Sequence, residues 1–478
     1  MMLRQPAGDG AEDEAADMAA GEPDAAEARP WGLALVLLAG MGALFFSSYG
    51  LANWLASQRA EVPFFYFEWE RHIPFVPWSI VPYWSIDLLY GLSFFIWRTR
   101  ADLLVHAKRL LAAQLISVAC FIAFPLRFAF DRPQADGVPG HLFTLLGGFD
   151  KPFNQAPSLH ISLLVILWVA YAMHARGAWR WLLHGWFALI GVSVLTTYQH
   201  HVIDVPTGWL VGWFCVFQFP FGMGQGNAEP ATRMRTRQLA GRYAMGALAA
   251  GAVALALLPA SALATLLLGW LALSLACVSA IYRQGVPAMF QKRHDGTMPT
   301  AARWVLAPYL LGALANSRWW TRRQPGASQI VPGLWVGRFP GGAELRRLGA
   351  DAVLDLTAEL PRLADAAWYR CVPVLDLTVP APAQLDEAVA VLEAWHRDGR
   401  KVLVCCALGY SRSALVAAAW LAGHAGARDA GQALALLRKG RPAVVLGPDS
   451  VAALSQFIRR RQAATQSSGG AGHVRSDA

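Results

Sequence analysis

The residues whose types and spacing most directly suit chemistry are Cys406 and Arg412, in the run VLVCCALGYSRSA. A β-type run ends at Cys406, five residues intervene, and Arg412 and Ser413 open a helical stretch. Phosphoryl transfer to sulfur needs a thiolate and a cradle for three equatorial oxygens. A loop between strand and helix supplies both, because its amides converge on an anion and the helix start favours negative charge. Gly409 lets the backbone turn tightly, Arg412 offers a planar fork to two oxygens, and the Ser413 hydroxyl can assist a departing thiolate. Gly409 and Ser411 are the loop residues expected against the substrate. None of the intervening residues is Lys. That neutral loop suits a single phosphate and argues against highly phosphorylated inositol lipids.

A second set lies upstream, in FDRP, APSLH and TTYQHHVIDVPTG. A histidine that attacks phosphorus needs a carboxylate to orient its ring and an acid for the leaving group. His200 and Asp204 are four apart and can bond across a helical turn, and His160, in the first turn of its own apolar block, can be the acid. Arg132 is the nearby cation. Polar groups at the ends of apolar blocks can meet water and a lipid head group together. The bland alternative is that His160, His200 and His201 only cap helices. Asp87 reads as a buried structural partner.

These residues must be positioned by very different elements. The chain has 478 residues, 55% of them hydrophobic, with a mean hydropathy of +0.34, which is too apolar for an ordinary soluble protein. Between Trp31 and Tyr282 the apolar residues form eight blocks, at about 31–56, 76–97, 109–126, 159–175, 180–197, 205–221, 243–259 and 262–282. Each is of a length to cross roughly 30 Å of hydrocarbon. Arg98, Arg100, Lys108, Arg109, Arg176, Arg180, Arg233, Arg235, Arg237 and Arg242 fall on one side of these blocks, which by the positive-inside bias is the cytoplasm. Eight crossings then return the chain to the cytoplasm. The chain is basic overall, at +9, yet no basic stripe suits nucleic acid. Six cysteines show no metal-ligand spacing and give little support for disulfides. No metal or cofactor is required by either chemistry.

The expected organisation is an acidic disordered tail at 1–30, a membrane domain at 31–222, two further spans with basic loops at 223–300, and an interfacial helix and linker at 301–327. The tail holds eight Asp or Glu against Arg4 and Arg29 and lacks the pattern of a signal peptide. An α/β domain follows at 328–462 and a disordered tail at 463–478. Short β-type runs at IVPGLWVG, AVLDL, CVPVLDL and KVLVCC alternate with helical patterns such as 383–398.

Across about 328–462 the sequence resembles the dual-specificity branch of the protein tyrosine phosphatases, carried by Gly-Tyr-Ser-Arg-Ser and the upstream DLTAE. By that resemblance Cys406 forms a phosphocysteine and Asp376, in VLDLTVP, is the general acid, with Asp386 and Asp355 as alternatives. Cys405 stands where the family usually has His. Residues 75–222 resemble the type 2 phosphatidic acid phosphatases, whose pattern is Lys-x6-Arg-Pro, Pro-Ser-Gly-His and Ser-Arg-x5-His-x3-Asp. Pro125 replaces the Lys, Leu159 the Gly, and Val194 the Arg, so Arg127 and Lys151 are the substitute phosphate holders. The two resemblances together imply a bifunctional phosphatase of the bacterial inner membrane. A six-helix lipid phosphatase-like core plus two spans would precede a cytoplasmic dual-specificity phosphatase domain, acting on a phospholipid or other phosphomonoester. The alternatives are a lipid phosphotransferase, or a noncatalytic lipid-binding anchor, joined to a protein phosphatase.

Overall fold

A computed structural model describes residues 28–148, 150–222, 233–424 and 426–470. The acidic tail at 1–27 and residues 471–478 lie outside the described residues. The chain divides into two compact units, 1–223 and 224–478.

The first unit is helical: α1 Trp31–Ser57, α2 Ile80–Ser93, α3 Arg100–Ala123, α4 Gly137–Gly147, α5 Leu159–His174, α6 Ala178–Thr196 and α7 Asp204–Gln218. Helix α5 is apolar on every side, and nearly all of its first nine residues are buried, which makes it the centre of the unit. It can approach α7 closely because Gly208 and Gly212 face it. A Cβ on Gly208 would lie 2.4 Å from the Ser158 carbonyl oxygen, and one on Gly212 would lie 2.7 Å from Val165 Cβ. The Ser162 hydroxyl donates to the Gly208 carbonyl at 3.0 Å in the same seam. Outward faces expose large apolar side chains such as Leu35, Val36, Phe46, Leu88, Trp181 and Leu182.

Eight apolar blocks were expected to cross a bilayer. Among the described residues, five helices are long and apolar enough to do so: α1, α3 and α6 here, and α8 and α9 in the second unit. Helices α2, α5 and α7 have 14, 16 and 15 residues. At about 1.5 Å per residue they fall short of ~30 Å. Part of the 76–97 block is spent on other structure at Pro77–Ser79, which is a 3₁₀ turn ahead of α2.

The second unit begins with α8 Arg233–Leu257 and α9 Ala262–Gln284, packed side by side. Two helices follow, α10 Thr300–Val305 and α11 Ala307–Trp320, with Pro308 in the first turn of α11. This is the stretch read as an interfacial helix. One face of α11 packs on the α/β core through Ala313 and Leu314, with Arg318 Nη1 donating to the Phe339 carbonyl at 2.9 Å. Leu311, Trp319 and Trp320 remain exposed.

The expected α/β architecture is present in the remainder. A five-stranded mixed sheet runs β1-β2-β5-β3-β4, built from β1 Ser328–Val331, β2 Leu334–Arg338, β3 Ala352–Thr357, β4 Trp368–Val374 and β5 Val402–Cys406. Only the β1–β2 pair is antiparallel. The single β-type run expected at IVPGLWVG is two strands, because Pro332 and Gly333, the latter at φ +83°, turn the chain between them. The inner strands β3 and β5 are buried along their whole length, as strands covered on both faces must be. Helices α12 Gly342–Leu348, α13 Pro382–Arg397, α14 Arg412–His424, α15 Ala430–Gly440 and α16 Pro448–Gly470 cover the sheet. Helix α13 buries Leu385, Ala388, Val389 and Leu392, an i, i+3, i+4, i+7 stripe. The tail expected from 463 continues α16 as far as Gly470.

Candidate active site

Alternation along β5 sends adjacent cysteines to opposite faces. Cys405 packs with Phe339, Val353 and Leu403, whereas Cys406 belongs to the core on the α14 side. Burial, with Asp355 nearby, pushes the Cys405 thiol well above its usual range. At the end of β5 the chain turns through Ala407–Ser411 into α14, which starts at Arg412. The Gly409 amide donates to the Cys406 sulfur at 3.2 Å, and the Ser413 hydroxyl lies 3.3 Å from it. Gly409 has φ +74°, and a Cβ there would sit 2.3 Å from the Gly337 carbonyl carbon. Glycine is therefore required for both its conformation and its space. Ser411 is exposed, and its backbone carbonyl accepts from Leu415 in the first turn of α14.

Arg412 is 3% exposed and reaches the carboxyl ends of β3 and β4. Its Nη1 donates to the Val374 carbonyl at 2.7 Å, and its two terminal nitrogens bind Glu359 at 3.2 and 2.9 Å. Nη2 also donates to Asp376 Oδ1 at 2.8 Å. Burial alone would favour loss of its proton, yet the charges of Glu359, Asp376 and Cys406 hold Arg412 well above its usual range. Burial raises the Glu359 carboxyl. Asp376 follows β4 on a loop whose next residue, Leu377, has φ +59° and is exposed. A branched side chain at positive φ is a strained position of the kind found near functional sites. The Tyr282 hydroxyl, from the end of α9, donates to the Asp376 carbonyl at 3.3 Å.

The other acid candidates are engaged elsewhere. Asp386 pairs with Arg460 at 2.9 Å. Asp355 is fully buried, where it binds the Lys292 ammonium, the Tyr369 hydroxyl at 2.7 Å and the Thr357 amide at 2.8 Å. Lys292, although it follows an apolar helix as a loop charge would, is a core cation of the α/β part. Burial opposes its charge, and Asp355 nevertheless holds its pKa above 10.5. Sequence reasoning also missed Arg441. It is 2% exposed, and its Nε donates to the Gly409 carbonyl at 2.9 Å, so it fixes the peptide next to the sulfur. Its only signal was a cation in Gly-Arg-Pro just after an amphipathic helix.

In the helical unit, His200 Nδ1 lies 3.2 Å from Asp204 Oδ2, and that oxygen also accepts the His201 amide at 2.9 Å. Ser158 caps α5, with its hydroxyl accepting from the Ile161 amide at 3.2 Å, which fixes the turn carrying His160. His160 stacks on Tyr83 with ring centres 4.1 Å apart, and His160 and His200 line one cavity of about 50 Å³. The expected phosphate-holding arginines do not line it. Arg132 donates to the carbonyls of Thr197 and Tyr198 at 3.1 and 3.2 Å, and so braces the turn before His200. Arg127 donates to the Val62 carbonyl at 3.2 Å and lies over the Phe64 ring. Lys151 is exposed and does not line it either. His201 binds Glu70 at 2.9 Å through Nδ1 and accepts the Ala129 amide at 3.0 Å through Nε2, which makes it a satisfied structural histidine.

A parallel strand that delivers a cysteine to a loop, with an arginine opening the next helix, defines a cysteine-based phosphatase fold. Residues 334–460 match the family described as dual specificity phosphatase, catalytic domain. Dual specificity phosphatase 28 of Mus musculus is 34% identical over 128 residues, covering 25% of this chain and 75% of the relative. Dual specificity protein phosphatase 2 of Mus musculus is 33% identical over 103 residues, covering 20% of this chain and 32% of the relative. The chain spans about a third of the length of the first curated relatives it matches. Among solved structures, human DUSP28 aligns at 26% identity and a TM-score of 0.26, over 29% of this chain and 96% of its own. Through this segment, the chain belongs to the dual-specificity phosphatase family.

Proposed function

We propose that this protein is a membrane-tethered phosphomonoesterase that works through a phosphocysteine at Cys406. The observation that carries the reading is the convergence of the Gly409 amide and the Ser413 hydroxyl on the Cys406 sulfur, next to the buried guanidinium of Arg412. The sulfur attacks phosphorus as the bond to the leaving oxygen breaks, and Asp376 gives that oxygen its proton. Arg412 and the loop amides hold the equatorial oxygens. Water then attacks the phosphocysteine, its proton passes to Asp376, and Ser413 supports the departing thiolate. The neutral loop between Cys406 and Arg412 favours a substrate with one phosphate. Five helices suited to crossing a bilayer support the tether, and the basic loops support a cytoplasmic α/β domain.

The helical unit fits a second, histidine-based site for phosphorylated lipids. His200 would be the nucleophile, Asp204 would orient its ring, and His160 would be the acid. What supports this is that both histidines line one cavity and that Asp204 engages His200 Nδ1, which leaves Nε2 as the reactive nitrogen. A phosphatase, a lipid phosphotransferase and a lipid-binding anchor all use such a cavity, and turnover separates them. In defined lipid, Cys406→Ser in the full chain is expected to abolish hydrolysis of an aryl phosphate, and His200→Ala to abolish lipid turnover while sparing it. Aryl phosphatase activity retained by Cys406→Ser removes the first assignment. Lipid turnover unchanged by His200→Ala removes the second.

A further inference from the structure

The cavity shared by His160 and His200 has an unexpected polar lining. Asp87, Asp150 and Asn154 stand with the two histidines, and no Lys or Arg is among the described residues that line it. Asp150 accepts the Tyr49 hydroxyl at 2.6 Å, while Asp87 has no hydrogen bond or ion pair among the described residues and stands exposed at the rim. Asn154 is 2% exposed, and its Nδ2 donates to the Tyr49 carbonyl at 3.3 Å. Its Oδ1 is buried without a partner, as is His160 Nε2. A buried acceptor left unpaired costs about 1–3 kcal/mol, so Asn154 Oδ1 lacks a donor that something else must bring.

The sign of this lining decides among ligands. A phosphomonoester dianion would meet two carboxylates at the lining itself, while Arg132, the cation close enough to act on Asp150, stands behind the lining and spends two of its donors on the Thr197 and Tyr198 carbonyls. A primary ammonium would satisfy the same groups, with three N–H donors for Asp87, Asp150 and Asn154 Oδ1. About 50 Å³ is the room of three or four waters, enough for such a head. We infer that this cavity recognises the ammonium of a zwitterionic phosphodiester lipid, of the phosphoethanolamine type, and places its phosphorus toward His200. The inference rests on the histidine site proposed above and gives it a substrate class: an amine-bearing phospholipid, not a phosphatidic acid.

The test uses the full chain, purified in detergent, with short-chain phosphatidylethanolamine and phosphatidic acid of equal acyl length as probes. The wild type is expected to bind the amine lipid at least tenfold more tightly. Free phosphoethanolamine should displace it where inorganic phosphate at the same concentration does not. Asp87→Asn and Asp150→Asn should each erase most of the preference, with the far-ultraviolet circular dichroism spectrum and the thermal midpoint unchanged as proof that the helical unit folds. Equal or tighter binding of phosphatidic acid by the wild type overturns the inference without any variant, and so does equal displacement by inorganic phosphate. His200→Ala keeps the preference if recognition is as inferred, so failure of the catalytic reading appears separately, as lipid turnover that this variant does not change.

Discussion

Asp376 Oδ1 accepts a hydrogen bond from Arg412 Nη2 at 2.8 Å, so the proposed acid and the proposed phosphate clamp are partners before any substrate arrives. Glu359 binds the same guanidinium through both terminal nitrogens and is far more buried than Asp376. Arg412 is thus preset by one fixed carboxylate and one that a phosphate can replace. Displacement would free Asp376 to turn toward the leaving oxygen.

This division of labour separates two variants. Asp376→Asn should lower kcat by about 10²-fold or more for alkyl phosphates and far less for aryl phosphates, whose oxygen leaves without a proton. Glu359→Gln should instead raise KM and leave that leaving-group dependence intact, because it loosens the clamp and not the acid. A Brønsted plot against leaving-group pKa, measured for both variants, checks the distinction.

The two adjacent cysteines should differ sharply in reactivity. Cys405 is fully buried in an apolar cluster and held protonated by that burial, whereas Cys406 ends at the loop and accepts an amide hydrogen. Brief iodoacetamide treatment at neutral pH, followed by peptide mass spectrometry, should label Cys406 and spare Cys405. Loss of aryl phosphatase activity should track that label, and excess phosphate should slow it.

Lys292 and Asp355 form a buried ion pair whose loss on one side leaves a lone charge. Lys292→Met should destabilise the second unit by about 3–5 kcal/mol. The ammonium's folded pKa lies above its usual 10.5, so its contribution is complete below that pH and fades as pH rises through the folded value. Chemical denaturation of wild type and variant from pH 8 to 12 should show the gap constant at first and narrowing at the alkaline end.

What the sequence made legible follows from how local each feature is. Cys406, Gly409, Arg412 and Ser413 occupy one strand, loop and helix start, so their relation could be read from thirteen residues. Asp376 entered as the acid through the family resemblance, which points to VLDLTVP. Partners that fold in from a distance left no such trace. Glu359 meets Arg412 across 53 positions and Lys292 meets Asp355 across 63. Lys292 looked like any loop charge beside an apolar helix, since hydropathy carries no record of a partner. The arginines of the helical unit are a related case: Arg127 and Arg132 have the charge that the sequence shows, and it does not show that nearby backbone carbonyls take part of their donors.

The contact from Tyr282 to the Asp376 carbonyl joins α9, one of the five helices suited to a bilayer, to the loop of the proposed acid. Leu377, next in that loop, is held at positive φ, so the loop gains from an external tether. Removing the hydroxyl takes away one neutral hydrogen bond, worth about 0.5–1.5 kcal/mol, and keeps the ring that packs against Tyr243. Tyr282→Phe should therefore lower kcat for alkyl phosphates by about two- to tenfold, with KM nearly unchanged and the thermal midpoint within a degree or two. If the hydroxyl acts through the acid loop, the loss should vanish in an Asp376→Asn background, because there the loop has no proton to deliver. A double-mutant cycle in kcat makes the measurement, and equal losses in both backgrounds would assign Tyr282 to packing alone.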